Sequence, residues 1–132
     1  MEEREFKMKS PFRMAAVMLA VMTTGALADG DAAKGEKVFA KCKACHVADT
    51  ETNRVGPHLK GVIGRNVASV AGYTYSGGMQ EFAAANPVWT DELFLTYIES
   101  PKASIPKTKM AFAGVKKEEE RADLLAYLKT MK

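Results

Sequence analysis

Two cysteines and a histidine fall within five consecutive residues, Cys42-Lys43-Ala44-Cys45-His46, and they use both cysteines in the chain. A C-x-x-C-H run sets two thiols near one helical turn apart, with an imidazole directly after them. That spacing suits covalent attachment of a c-type haem. Each thiol adds to one of two vinyl groups on one porphyrin edge, and the histidine places a ring nitrogen on the iron. Two other chemistries use the same residue types. A C-x-x-C redox disulfide fits an exported protein, but that motif usually sits by a βαβ pattern, which is absent here. A zinc site needs about four ligands, and only His58 remains among cysteines and histidines outside the motif.

Composition narrows the rest. The chain has 132 residues, enough for one domain, with 47% hydrophobic and 27% charged residues, a globular rather than disordered balance. Net charge is +3 and the lysines are dispersed, unlike the massed basic arm of a nucleic-acid binder. No apolar run reaches the roughly 18 to 20 residues of a membrane span. A small core gains much from a cofactor, metal or crosslink.

Residues 1–28 read as a cleaved signal peptide, and 29–132 as a mono-haem domain. Lys9 and Arg13 precede an apolar stretch from Met14 to Met22, and Ala26-Leu27-Ala28 supplies an A-x-A exit. A short buried helix or a retained anchor are the competing readings. Glu2, Glu3 and Glu5 are unusual in a region that should be basic, which points to Met8 rather than Met1 as the initiator.

The mature part has helical patterning and negligible strand patterning. Gly35, Val38, Phe39 and Cys42 recur at three- and four-residue steps, with Asp31 as N-cap. A short helix follows Ser76 through Met79, Phe82 and Ala83. Thr90 caps another, with Asp91 and Glu92 in its first turn, Leu93, Phe94, Tyr97 and Ile98 on one face, and Pro101 as its stop. A last helix has Glu118 to Glu120 at its start, Lys129 and Lys132 at its end, and Leu124, Leu125 and Leu128 facing inward. Between Cys45 and Ser76 lies a long glycine-rich loop, acceptable where a chain wraps a ligand.

Many separated motifs in order carry a family resemblance. They are Gly30-Asp31, Gly35 with Phe39, Cys42 to His46, Gly56-Pro57-His58-Leu59-Lys60-Gly61 and Gly64-Arg65. Gly72-Tyr73-Thr74-Tyr75-Ser76, Trp89, Tyr97 and Pro101 follow, then Ile105-Pro106-Lys107-Thr108-Lys109-Met110, Phe112-Ala113-Gly114, Leu124 and Tyr127. Over nearly all of residues 30–132 the chain resembles class I cytochromes c, in particular the bacterial cytochrome c2 and mitochondrial-type group. The resemblance implies an all-α fold of about four to five helices, with long loops around one covalently attached haem. Its N- and C-terminal helices cross, bringing Gly35 and Phe39 against Leu124 and Tyr127.

Site roles follow from that resemblance. One haem c is attached through Cys42 and Cys45, with His46 as one axial ligand. Met110 is the other, in a context similar to the family's axial methionine segment. A methionine is more often a core filler, and His58 is the rival ligand, read here as a surface histidine. The Pro57 carbonyl accepts the second imidazole N–H of His46. Tyr97 hydrogen-bonds near the Met110 sulfur. Arg65, Tyr75, Ser76 and Trp89 hold the haem propionates, and Thr108 adds a donor. Three departures stand out. Met79 occupies a position often held by asparagine, Lys107 replaces a common glycine, and the step from Phe39 to Cys42 is one residue shorter than in mitochondrial members.

A His/Met pair fills both axial positions, so the expectation is an electron carrier and not an enzyme. Lys37, Lys41 and Lys43, with Lys102, Lys107, Lys109, Lys116 and Lys117, flank the attachment and methionine segments and can orient docking to acidic partners. The implied partners are a cytochrome bc1 complex and an oxidase, peroxidase or photosynthetic reaction centre, met transiently by a monomer in the periplasm. Nucleic acid and stable membrane insertion after cleavage are not expected. A haem-based sensor or weak peroxidase with an open sixth site, a membrane-tethered carrier, and a haem-free thiol carrier are the alternatives.

Overall fold

The computed structural model describes residues 29–132; the expected leader over 1–28 lies outside them. Five helices follow in order: α1 (Ala32–Phe39), α2 (Gly77–Ala85), α3 (Asp91–Glu99), α4 (Pro101–Ser104) and α5 (Glu118–Thr130). Among the described residues there is no strand, only a single antiparallel bridge between Asn66 and Val88. The fold is all-α, as the periodicity implies.

Local chemistry sets the helix ends. The Asp31 carboxylate accepts from the amides of Ala33 and Lys34 and so starts α1. Ser76 and Thr90 do the same for α2 and α3. Pro101, expected only as a stop, also starts α4: Ser100 ends α3 and then caps Ala103, while proline occupies the first turn, where its missing N–H costs nothing. Helix α1 closes at Phe39, before the motif it was expected to carry. Beyond it the chain continues as hydrogen-bonded turns, with Cys42 N bonded to Phe39 O at 2.8 Å and His46 N to Cys42 O at 2.9 Å.

Helices α1 and α5 cross tightly. A Cβ at Gly35 would collide with the Asp123 carbonyl and lie 2.7 Å from Tyr127 Cβ, so only glycine permits the approach. The Asp31 amide donates to Asp123 Oδ1 at 2.7 Å, and the Phe39 and Tyr127 rings meet at 5.4 Å. Val38, Phe39, Leu124 and Leu128 join Val115, Phe94 and Ile98 in one buried cluster. Residues 47–76 contain no helix. They are fixed by scattered bonds, including Leu59 N to Val47 O at 2.7 Å and Gly61 N to Met131 O beyond α5.

Candidate haem site

The turns after α1 place both motif cysteines at part-buried positions. Burial pushes the Cys42 thiol up to about 11 against the smaller opposing effect of Lys41. A redox-active C-x-x-C thiol needs the opposite shift, because the thiolate is its nucleophile.

His46 is held by the loop. Its Nδ1 lies 2.7 Å from the Pro57 carbonyl. A carbonyl only accepts, so Nδ1 carries the proton and Nε2 keeps a free lone pair. Burial lowers the imidazole's proton affinity, the Pro57 bond opposes this, and the Arg65 charge lowers it further. A neutral imidazole is the form that binds a metal. Gly56 shapes the same spot, since a Cβ there would run into the His46 ring. The Gly56 amide also bonds the Cys45 carbonyl at 2.9 Å, tying the loop back to the motif.

Arg65 and Trp89 are brought together by the Asn66–Val88 bridge. Trp89 N bonds Arg65 O at 2.9 Å, and Gly64 N bonds Trp89 O at 2.7 Å. Arg65 Nη1 donates to the carbonyls of His58 and Lys60, at 3.0 and 3.1 Å. Tyr75 lies close enough for its phenol to influence Arg65, and its hydroxyl accepts from the Val70 amide at 3.0 Å. The Ser76 hydroxyl is engaged as the α2 cap, accepting from Met79 N at 3.2 Å.

Met110 has its own holders. The Tyr97 hydroxyl donates to the Met110 sulfur at 3.8 Å, and the Thr108 hydroxyl accepts from the Met110 amide at 3.1 Å. Tyr97 is buried, and that burial pushes its phenol up to about 12. Trp89 and Tyr97 rings touch edge-on at 5.0 Å, with Phe82 at 5.9 Å from each. This aromatic contact links the Arg65–Trp89 region to the Tyr97–Met110 region.

One atom tests whether a haem fits. Arg65 Nε is buried and has no hydrogen-bond partner among the described residues. An unpaired buried N–H on a guanidinium is costly unless an acceptor meets it, and a carboxylate is its best match. A haem brings such carboxylates on an otherwise apolar body. Apolar Leu59, Met79, Phe82, Met110 and Phe112 also pack on the core while remaining only part-covered, as walls for such a body would be.

Two residues, one at the site and one at the crossing, escaped sequence reasoning. Asn53 Oδ1 accepts from the His58 amide and its Nδ2 donates to the Ala71 carbonyl, each at 3.1 Å. A loop asparagine has no periodicity to flag it. The second is Asp123, whose cap on Asp31 depends on the crossing itself. Two lysines expected at the docking face are engaged elsewhere: Lys41 pairs with Glu120 at 3.6 Å, and Lys116 donates to the Glu99 carbonyl.

Known proteins match this arrangement along most of its length. A family model described as cytochrome c matches residues 32–132. Cytochrome c-554 of Methylosinus trichosporium is 47% identical, over 86% of this chain and 85% of that protein. Cytochrome c2 of Blastochloris viridis is 46% identical, over 75% of this chain and 76% of that protein. The solved structure of cytochrome cH from Methylobacterium extorquens superposes with a TM-score of 0.70 at 41% identity, over 76% of this chain and 99% of that one. A match across the whole helical region, together with a C-x-x-C-H turn whose histidine is locked by Pro57, places the chain in the cytochrome c family, with one haem c joined through Cys42 and Cys45.

Proposed function

We propose that this cytochrome is a periplasmic electron carrier whose iron is held by His46 and Met110. The observation that carries the reading is that both candidate ligands are tethered in advance. His46 is tied to Pro57 O at 2.7 Å and Met110 to Tyr97 Oη at 3.8 Å. When bound, the haem supplies an iron that gains or loses one electron. His46 presents a neutral Nε2, and its bond to Pro57 fixes the ring plane and raises its basicity. Met110 presents a soft thioether, which favours the ferrous state and raises the reduction potential. Tyr97, beside Met110, and Trp89, against Tyr97, are buried, and extra positive charge is costly in such dry surroundings. Were His46 and Met110 both to hold the iron, no open position would be left for a substrate, which supports transfer over catalysis.

Lys37, Lys43, Lys102, Lys107, Lys109 and Lys117 are exposed. They form the basic contribution to docking, after Lys41 and Lys116 are set aside. Partners are acidic redox proteins met briefly, such as a bc1 complex and an oxidase, peroxidase or reaction centre. Electron-transfer contacts of this kind are small and speed up at low ionic strength. Among the described residues no helix is long and apolar enough to cross a membrane. The leader reading for residues 1–28 directs the chain to the periplasm.

Absorption spectra of the haem-loaded protein test the ligand pair. The expected result is a low-spin c-type spectrum with a far-red ferric–methionine band that Met110→Ala abolishes. A high-spin spectrum, or a band that survives the substitution, would reject Met110. Fractionation with N-terminal sequencing tests location, where a mature start at Asp29 is expected and a retained leader would contradict it.

A further inference from the structure

His58 is the one histidine the electron-carrier reading leaves idle. Its Nδ1 lies 3.5 Å from Arg65 Nη1, and its backbone carbonyl accepts from the same nitrogen at 3.0 Å. Its amide is pinned by Asn53. The backbone on which His58 stands is thus braced, and the half-buried ring is the part able to respond to solution. Arg65, in turn, has the buried unpaired Nε that would suit a haem carboxylate.

We propose that His58 is a positioning residue for Arg65 whose protonation raises the reduction potential of the haem. The proposal rests on the haem reading above. With the imidazole neutral and its proton on Nε2, the Nδ1 lone pair faces the guanidinium and supports it. Protonation turns Nδ1 into a donor, so two cationic groups then face each other across 3.5 Å. Arg65 keeps its charge throughout, so the added repulsion falls on the group aimed at the haem. Ferric haem carries one more positive charge than ferrous haem. A protonated His58 therefore favours the ferrous state, and by linkage reduction raises the proton affinity of His58. No atom transfer is involved beyond one proton taken from solvent at the imidazole.

The groups that bear on His58 are Arg65 and Lys60, which disfavour its protonation, and Glu51, which favours it. Tyr75 also bears electrostatically on Arg65. Partial burial and then Arg65 hold the imidazole below its ordinary value. The effect accordingly belongs to the pH range below about 6.5.

Spectroelectrochemical titration of the loaded protein between about pH 4.5 and pH 8 tests this, after a c-type spectrum has been recorded for each sample. The reading is made on wild type and His58→Gln. At a fixed applied potential, the wild-type ratio of oxidised to reduced protein is expected to fall about twofold as pH drops through the His58 titration. Twofold is the scale for a unit charge roughly 10 Å away in a strongly screened setting. It corresponds to about 18 mV for one electron. His58→Gln is expected to flatten the step. In wild type, the His58 ring followed by NMR should titrate at higher pH in the reduced protein than in the oxidised one. This second measurement needs no variant. A step unchanged in His58→Gln, a flat wild type, or the same His58 titration in both redox states would overturn the proposal. Absence of a c-type spectrum would instead overturn the haem reading, and the proposal with it.

Discussion

The α1–α5 crossing and the loop of residues 47–76 hold opposite ends of the same motif by different physics. At the crossing, order comes from apolar burial and close backbone approach. Leu124 and Leu128 are almost fully covered, and Gly35 lets two helices meet. In the loop, order comes from single hydrogen bonds, such as His46 Nδ1 to Pro57 O, Asn53 to Ala71 and Arg65 to His58 and Lys60. It also leaves Arg65 Nε buried and unpaired. The crossing satisfies its own groups, whereas the loop has a demand that a haem carboxylate would meet. A domain of this size has a modest core, so a bound haem would be expected to couple the two regions.

Removing the attachment is the largest test of that dependence. Cys42→Ala combined with Cys45→Ala should cost most of the far-ultraviolet helical signal, because Arg65 would stay buried without its acceptor and the part-covered apolar walls would face water. A doubly substituted chain with native helicity would show the crossing to be self-sufficient.

Next come the two glycines, which separate the regions. Gly35→Ala drives a methyl into the Asp123 carbonyl, and should lower stability by about 3 kcal/mol, the upper part of the overpacking range. The visible spectrum of the protein that remains folded should be unchanged. Gly56→Ala drives a methyl into the His46 ring, so it should alter the spectrum. Equal spectra from both variants would deny the loop its separate role.

A pH test is smaller. Burial raises the Tyr97 phenol from about 10 to about 12, so the folded protein keeps a proton that the unfolded chain releases above about pH 10. Fewer protons on the unfolded chain mean stability falls as pH rises, by about 2–3 kcal/mol in all between pH 10 and 12, and nothing is lost below pH 10. Tyr75 and Tyr127 are also raised by burial, so the contribution of Tyr97 is read as the difference from Tyr97→Phe. Denaturant melts of both proteins at pH 8 and pH 11 give it, and parallel losses would refute the assignment.

The helices were legible in the sequence because their information is periodic and local, whereas the meeting of α1 with α5 followed only from the family likeness. Asp31, Thr90, Leu124 and Leu128 occupy positions that caps and three- or four-residue spacing single out, and the structure uses them so. The loop was legible only through its motif and its family likeness. Nothing in a glycine-rich stretch says that Asn53 braces His58, that Gly56 abuts His46, or that Arg65 Nη1 takes two carbonyls. Those contacts join residues with no common period, and each depends on the whole path of the chain. The same holds for Lys41, whose pairing with Glu120 is a product of the crossing and not of its neighbours in sequence.

Asn53→Ala gives the smallest effect and the sharpest division. It removes two side-chain hydrogen bonds, to the His58 amide and the Ala71 carbonyl, at a part-covered position. Bonds of this kind contribute about 0.5–1.5 kcal/mol each, and water can replace part of what is lost. A net loss of about 1–2 kcal/mol is therefore expected. Because the brace lies wholly within the loop, hydrogen exchange should accelerate across residues 53–75 first, while the amides of α5 exchange only through global unfolding and keep most of their protection. If α5 lost protection in step with the loop, the two regions would open as one unit, and the contrast between a self-satisfied crossing and a cofactor-dependent loop would fail.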